Sequence, residues 1–120
     1  TLHPDDASSR GISAGDVVRI FNDRGICLAG ARISDDLRPG TVQMSTGAWY
    51  DPGVQDGNGN LCKHGNVNVL TLDKGTSRLA QGCVAHTCLV EIERYQGEAP
   101  PVSAFQPPEI IHQTERITKK

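Results

Sequence analysis

Alternation of apolar and polar residues predicts a chain built mainly from short β-strands. Residues 17–21 (VVRIF) alternate and are rich in β-branched side chains, and residues 26–33 repeat the pattern after a polar turn at residues 22–25. Two such stretches around a short turn that contains glycine predict a β-hairpin. Residues 41–44 predict a third strand, and residues 87–95 predict the last one, with its glutamates on a solvent-facing side.

The helices that the sequence predicts are short. Pro4 at the first position, two aspartates in the first turn, Arg10 in the last turn and Gly11 as the stop predict a helix near the start of the chain. Residues 76–81 predict a single helical turn capped by a hydroxyl side chain, and residues 68–71 predict a short extended piece. The expected architecture is a small, strand-dominated barrel with short helices inserted.

The length and composition indicate one domain with an aliphatic core. A chain of 120 residues can bury one modest core, and aromatic residues make up only 4% of it, so Val, Ile, Leu and Ala must fill that core. Prolines at positions 100, 101, 107 and 108 cannot continue a central strand. We therefore expect a domain over residues 1–105 and a flexible tail over residues 106–120.

Charge and hydropathy exclude two classes of partner. The net charge of −2 and the pI near 6.0 argue against a nucleic-acid binder, because phosphate neutralisation needs clustered Lys and Arg. The sequence has no apolar run of about eighteen residues, so it predicts no membrane insertion, and it shows no signal peptide. It starts at Thr1 and lacks an initiator Met, from which we expect a fragment of a longer protein.

The cysteines are expected to be reduced and partly buried. None of the four stands in a C-x-x-C pair, and Cys83, His86 and Cys88 form only a loose group. Zinc sites usually close with pairs of ligands at short intervals. A zinc-stabilised structural domain is therefore an alternative interpretation, and we predict no metal ligand among these residues.

Residues 61–86 hold the candidate chemistry. The stretch is rich in amides, hydroxyls and glycine, and it has few aliphatic side chains to bury them. One interpretation is a surface loop whose Asn and Thr side chains bond their own backbone. The other is a ligand site, in which Gly65 lets the backbone approach closely while His64, Asn66 and Asn68 offer donors and acceptors together. Such a mixed edge suits a heterocycle such as a pterin or a guanine.

Trp49 and Tyr50 are a second group with two interpretations. They are the only tryptophan and one of two tyrosines, and they precede the turn at residues 51–53. Their rings can close one end of the barrel as an apolar plug, or they can face a ligand. Both roles are compatible, because each ring also carries a hydrogen-bonding group.

The sequence contains no self-contained catalytic group, so no catalytic residue is predicted. A nucleophile elbow (G-x-S-x-G), a Walker loop and a dinucleotide fingerprint are all absent from it. The neighbouring carboxylates Asp35 and Asp36 fall in a predicted turn, and Glu91 and Glu93 fall on an exposed strand face. Solvated roles fit these four acids.

Five stretches, taken together, resemble a known family. They resemble the C-terminal molybdopterin-dinucleotide-binding domain of the dimethyl sulfoxide reductase family, and within it most of all the trimethylamine N-oxide and biotin sulfoxide reductases. The resemblance runs in order over nearly the whole chain. The stretches are residues 3–12 (HPDDASSRGI), 15–25 (GDVVRIFNDRG), 46–52 (TGAWYDP), 64–71 (HGNVNVLT) and 76–82 (TSRLAQG).

The resemblance implies a fold, a cofactor and a set of contacts. The fold is mainly β, a six-stranded double-psi β-barrel of the aspartate-decarboxylase type. The cofactor is bis(molybdopterin guanine dinucleotide) molybdenum. Asn68 and His86 are implied as contacts to the pterin, and further residues are implied to line the same region: Asn66, His64, Gly47, Trp49, Tyr50 and Gln81.

The resemblance also implies how the parent enzyme works. The chain would bind the cofactor beside upstream domains of the same polypeptide, one of which supplies the serine that ligates molybdenum, so the isolated chain is expected to be inactive. The parent would reduce a small N-oxide or S-oxide with electrons from a donor such as a c-type cytochrome. We expect a periplasmic location, with the cytoplasm as the alternative. A double-psi barrel that acts as an adaptor without cofactor is the alternative function.

The sequence departs from the family pattern at two points. Val67 stands where relatives usually have proline after His-Gly-Asn, so the fixed φ of proline no longer stiffens the loop. The chain also begins after the place where the family has an earlier stretch that adds to the same barrel. A strand of the barrel is therefore expected to be missing from this chain.

Overall fold

The computed structural model describes residues 1–53, 60–84 and 87–110. One α-helix, α1, lies near the start of the chain, and short strands make up most of the remaining regular structure, which confirms the mainly β prediction. A 3-10 helix follows the fourth strand. The bounds are α1 at Pro4–Ser9, β1 at Val17–Phe21, β2 at Gly25–Gly30, β3 at Pro52–Gly53, β4 at Asn60–Cys62, the 3-10 helix at Val67–Val69 and β5 at Glu91–Arg94.

The five strands form one sheet in the order β3-β4-β2-β1-β5. β1 and β2 form the predicted antiparallel hairpin, and β5 adds antiparallel to the other edge of β1. β2 and β4 pair in parallel, with Cys27 opposite Cys62. Closure into a six-stranded double-psi barrel stays a prediction, because the strands described here form an open sheet.

Helix α1 forms as its sequence predicts. Pro4 stands in the first turn, and the Nδ1 atom of His3 accepts a hydrogen bond from the N–H of Asp5 at 3.1 Å. Gly11 takes a φ of +62°, the left-handed conformation that ends a helix. The prediction for Arg10 was wrong by one position, because it is the C-cap residue and not part of the last turn. No helix in the described ranges is long and apolar enough to cross a membrane.

Three predicted strands are shorter than expected or missing. β2 ends at Gly30: the N–H of Ala31 still bonds the carbonyl of Asp16 opposite it, but the N–H of Gly15, and not that of Asp16, donates back to Ala31, which breaks the regular pairing. Residues 41–44 do not form a strand. Val42 makes one isolated bridge, with Leu2, and Leu2 itself belongs to no strand. The last strand covers only Glu91–Arg94, the four residues that lie opposite β1.

Two predictions in the central polar stretch were wrong. Residues 68–71 begin inside the 3-10 helix and are not extended. Residues 76–81 form a hydroxyl-closed turn and no helix: the hydroxyl of Ser77 accepts the N–H groups of Leu79 and Ala80, and the N–H of Ser77 bonds the carbonyl of Ala80. Serine side chains compete with the helix for the same backbone groups, so this turn closes locally.

The core is aliphatic, as the composition predicts, and it lies on both faces of the sheet. Alternation along β2 and β4 sends the buried thiols of Cys27 and Cys62 to one face and the side chains of Ile26 and Leu61 to the other. The larger cluster continues through these buried residues: Leu2, Ala7, Ile12, Val18, Ile20, Ala31 and Leu70.

A buried carboxylate fixes the segment after β5 to the sheet. Asp51 is only 2% exposed, and its oxygens accept hydrogen bonds from the hydroxyl of Ser103 at 2.6 Å, from the N–H of Ser103 and from the N–H of Ala104 at 3.0 Å. The ammonium of Lys63 lies 3.3 Å from Asp51 and also donates to the Ser103 hydroxyl and to the carbonyl of Pro101. We call Asp51, Lys63 and Ser103 the Asp51 clasp.

These donors control the protonation of Asp51. Burial acts to raise the pKa of its carboxyl group, but the bonds from the Ser103 hydroxyl and N–H, from Lys63 and from the N–H of Ala104 outweigh burial and lower the pKa to about 2. The folded state therefore favours the charged form. A depressed pKa contributes stability above the unfolded-state value near 3.8, and that stability is lost as the pH falls through about 2.

The Asp51 clasp predicts that the difference in free energy of unfolding between wild type and Asp51→Asn depends on pH. Replacing Asp51 by Asn should lower the free energy of unfolding at neutral pH, because the Lys63 ammonium is left without its charge partner. The difference from wild type should shrink between about pH 4 and pH 2, where wild-type Asp51 itself becomes protonated. Urea unfolding at several pH values measures it. The exposed Asp35→Asn variant is the control, and a pH-independent difference for Asp51→Asn would contradict the charge argument.

The buried thiols predict an order of chemical reactivity. Burial raises the pKa of Cys27 to about 12, neighbouring Cys62 adds to the rise, and the backbone of Gly65 offsets part of it. Because only the thiolate reacts, iodoacetamide should alkylate exposed Cys83 first, and Cys27 and Cys62 only after denaturation. Peptide mass spectrometry over time measures the order. Alkylation of Cys27 at the rate of Cys83 in the folded chain would show that the sheet does not bury it.

Candidate functional site

The polar loop that follows β4 is held in one backbone conformation. Gly65 takes a φ of +81°, a left-handed conformation that favours glycine, and a Cβ there would also lie 3.3 Å from the terminal methyl of Met44, which would have to shift slightly. The Oδ1 atom of Asn66 then accepts the N–H of Asn68 at 2.9 Å and caps the 3-10 helix. Buried Leu70 anchors the far end. We call residues 63–70 the amide loop.

The two buried thiols support the amide loop from beneath. The N–H of Asn66 donates to the sulfur of Cys62 at 3.4 Å, and the backbone of Gly65 bonds the thiol of Cys27. The first half of the loop therefore rests on the paired ends of β2 and β4. The N–H of Asn66 is therefore not available to a ligand, whereas the side chain of Asn68 is exposed.

The hairpin turn holds the end of the amide loop. The side-chain amide of Asn22 donates to the carbonyl of Leu70 at 2.9 Å, and the Nε atom of Arg24 donates to the same carbonyl at 2.8 Å. The hydroxyl of Thr71 bonds back to the carbonyl of Asn68 at 3.3 Å. With both ends held, the exposed carboxamide of Asn68 projects from a fixed backbone.

Trp49 and Tyr50 face solvent and do not form an apolar plug. Their exposed fractions are 66% and 48%, so of the two interpretations of these rings the structure favours the outward-facing one. The ring of Phe105 lies between Trp49, with centroids 6.1 Å apart, and His64, with centroids 4.9 Å apart and the planes nearly perpendicular. The amide loop and the segment before β3 are thus joined through aromatic contacts.

Two of the remaining predicted residues, Gly47 and Gln81, lie outside the amide loop. Gly47 has a φ of +99° with open space on the side where a Cβ would lie, so it bends the segment that carries Trp49. Gln81 is exposed, but its amide donates to the carbonyl of Ser77 inside the hydroxyl-closed turn. No contact in the described ranges joins Gln81 to the amide loop. His86 lies outside the described residues, so its predicted pterin contact stays a prediction.

Three residues that shape this site were given no role in it from the sequence. Asp51 and Lys63 fix the segments next to Trp49 and His64, and Phe105 supplies the central ring. Phe105 is a lone aromatic residue in a proline-rich segment, and the sequence predicts only that it pins that segment to the rest of the domain. Nothing in the sequence places Asp51 beside Ser103, because 52 positions separate them.

Two cavities border the amide loop. The smaller, of about 360 Å³, is lined by Lys63, His64 and Gly65, by residues of β1 and β2, and by Ala99, Pro100 and Val102. The larger, of about 740 Å³, meets the loop through Val67 and Leu70 and continues along the side chains of β1. The imidazole of His64 lines the smaller cavity and also contacts the ring of Phe105.

The described residues show no metal centre. Within residues 1–53, 60–84 and 87–110, no three His, Cys, Asp or Glu side chains are close enough to hold a metal ion. The thiols of Cys83 and Cys88 are free, the first exposed and the second half-buried. The zinc alternative also includes His86, so metal analysis of the purified chain is its test.

Comparisons with known proteins give the family. Residues 1–89 match the family model described as "Molydopterin dinucleotide binding domain". The trimethylamine-N-oxide reductase of Salmonella typhi is 54% identical over 117 residues, which are 97% of this chain and 14% of that protein. For trimethylamine-N-oxide reductase 1 of Escherichia coli K12 the identity is 59% over 96 residues, 80% of this chain and 11% of the relative.

A third relative has a broader name. The dimethyl sulfoxide/trimethylamine N-oxide reductase of Cereibacter sphaeroides is 50% identical over 107 residues, 89% of this chain and 13% of the relative. The chain therefore spans about one seventh of the length of the relatives it matches. The matched model covers well over half of the chain and confirms the resemblance found in the sequence. The chain belongs to the molybdopterin dinucleotide-binding domain family.

Proposed function

We propose that this chain is the C-terminal domain of a larger molybdenum oxidoreductase, where it holds the pterin parts of a bis(molybdopterin guanine dinucleotide) cofactor. The observation that carries the proposal is the amide loop, whose backbone is bonded to the protein while the Asn68 carboxamide remains exposed. The relatives named as trimethylamine-N-oxide and dimethyl sulfoxide reductases support an N-oxide or S-oxide as the substrate of the parent.

The residues present fit the proposed cofactor. A pterin carries an edge of alternating donors and acceptors, and a carboxamide such as that of Asn68 offers one donor group and one acceptor. His64, in the same loop, is half-buried, and its imidazole nitrogens can donate or accept. The neighbouring rings of Trp49 and Tyr50 offer flat apolar surface.

The role of these residues is to bind and orient. Because Asn66, Cys62 and Leu70 fix the loop before any ligand arrives, Asn68 loses little conformational freedom on binding. When bound, the molybdenum centre supplies the two-electron redox chemistry of oxide reduction. A ligand held by many preorganised contacts changes its position little between redox states. The chain's own contribution is therefore positional, and the reacting groups come from the rest of the parent.

The location and electron donor of the parent follow from the same proposal. A periplasmic enzyme that takes electrons from a c-type cytochrome is the version we favour, with a cytoplasmic enzyme as the alternative. The relatives named for trimethylamine N-oxide support the first version, since the resemblance links that branch to the periplasm. Fractionation of cells that express the full-length parent separates the two.

Truncating Asn68 in the full-length parent should release cofactor. We expect Asn68→Ala to contain clearly less pterin and molybdenum than wild type after purification, because the amide's donor and acceptor are both lost. Oxidised-pterin fluorescence and metal analysis measure the content. Gln96→Ala removes an exposed amide that bonds only the nearby carbonyl of Arg94, and it should keep the wild-type content.

Two outcomes would overturn the proposal. Equal pterin content in wild type and Asn68→Ala would remove Asn68 as a contact. A wild-type parent without pterin would leave only the likeness of the fold, and the adaptor function would take its place.

The isolated chain is expected to show no turnover. None of its residues is predicted to react with a substrate, and the chain spans about one seventh of the reductases that it matches. An assay of trimethylamine N-oxide or dimethyl sulfoxide reduction with a reduced viologen donor is the measurement. Any reduction above the rate of a heat-denatured sample would show that the chain carries a reactive centre of its own.

A further inference from the structure

The segment after β5 carries an exposed aromatic ring, that of Phe105, although polar bonds already hold the segment in place. We call residues 99–106 the C-terminal arm. Five hydrogen bonds hold the arm: three from Ser103 and Ala104 to Asp51, and two from Lys63 to Ser103 and Pro101. An ion pair joins Lys63 to Asp51 beneath them. The Asp51 clasp is nearly closed to water, whereas Phe105 remains 71% exposed.

The exposure of Phe105 is unusual for a ring that only pins a chain segment. A large aromatic side chain stabilises a fold by removing its surface from water, and Phe105 leaves most of that surface in water. The clasp nevertheless fixes the backbone immediately before the ring, at Ser103 and Ala104. The arm therefore positions an aromatic face and does not bury it.

Phe105 is the centre of a three-ring group. Trp49 is tilted by 37° to its ring at 6.1 Å, and His64 meets it at 83° and 4.9 Å. Trp49 is also mostly exposed, so two broad faces meet solvent beside the imidazole. His64 is the first residue of the His-Gly-Asn stretch in the amide loop, which brings the rings next to the loop already proposed to contact the pterin.

We propose that Phe105 and Trp49 form a stacking site for the bicyclic ring of the dinucleotide, with His64 at its edge. This inference rests on the proposed function. The ligand chemistry is a flat fused ring with a 2-amino-4-oxopyrimidine edge, which guanine and pterin share. Aromatic side chains bind such rings through their faces, and a nearby imidazole can donate to the oxo group or accept from the amino group.

Fluorescence of the 120-residue chain tests the stacking site directly. Trp49 is the only tryptophan, so its quenching reports binding at the group itself. The two probes are guanosine monophosphate and biopterin, which represent the two ends of the dinucleotide, and ribose 5-phosphate is the control that lacks a ring. We expect saturable quenching by at least one bicyclic probe and none by ribose 5-phosphate. The probe that binds with the higher affinity identifies which end of the dinucleotide is bound.

Variants of Phe105 separate stacking from simple packing. Phe105→Leu keeps apolar bulk but removes the aromatic face, and it should weaken binding of the preferred probe about tenfold. Phe105→Tyr keeps the face and should bind within about twofold of wild type. Leu89→Ala truncates a side chain that is 91% exposed and belongs to neither the arm nor the three-ring group, so it should bind like wild type.

The outcomes for the arm and for the amide loop are distinguishable. Wild-type affinity in Phe105→Leu, or no saturable quenching of the wild-type chain by either probe, overturns the stacking site. If the stacking site is overturned but Asn68→Ala still empties the parent of pterin, the proposed function stands without the stacking site. Conversely, quenching that depends on Phe105, in a chain whose parent holds no pterin, supports the stacking site and overturns the proposed function.

Discussion

The parallel pairing of β2 with β4 is the constraint on which the rest of the structure depends. It joins two stretches of chain more than thirty positions apart and places Cys27 against Cys62, with both thiols fully buried. β3 pairs only with β4, so the position of Asp51, just before β3, follows from that pairing. The amide loop leaves the end of β4, where the N–H of Lys63 bonds the carbonyl of Asp51 and the N–H of Asn66 donates to the sulfur of Cys62. The amide loop, the Asp51 clasp and the C-terminal arm are therefore all oriented by the three residue pairs that join β2 to β4.

The stiffness of the amide loop has an unexpected source. A proline at position 67 would fix φ, and this chain has valine there. The structure supplies other restraints: Asn66 caps the 3-10 helix, Cys62 accepts an N–H of the loop, and Asn22 holds its last carbonyl. Each bond is individually modest, but together they leave the backbone between Gly65 and Leu70 little freedom. A loop can thus be preorganised by the sheet beneath it when the covalent restraint is absent.

Local chemistry in the sequence predicted the elements whose partners are adjacent in the chain. The hairpin of β1 and β2 and the helix α1 carry their own turn and cap residues, so both were correct in type and position, although β2 ends three residues earlier than predicted. Predictions of elements that depend on distant partners were wrong, or the elements were missed. Residues 41–44 alternate like a strand but meet only a single bridge, whereas β3, at Pro52–Gly53, is a strand only because β4 lies beside it. The same limit explains why the bonds of Asp51 to Ser103 and the contacts of Phe105 with Trp49 and His64 were not predicted.

The amides of the site differ in what they already bond, and that difference separates structural from ligand-facing roles. The side chains of Asn22, Asn66 and Gln81 all bond backbone groups of the protein. Asn68 is exposed, and in the described part of the chain its carboxamide bonds no other group. A free amide on a fixed backbone can pair with a ligand edge without first breaking a protein bond. By the same reasoning the aromatic face of Phe105 is available because polar bonds, and not the ring, hold its arm. The strongest candidates for contact are thus the groups that the fold positions but does not use.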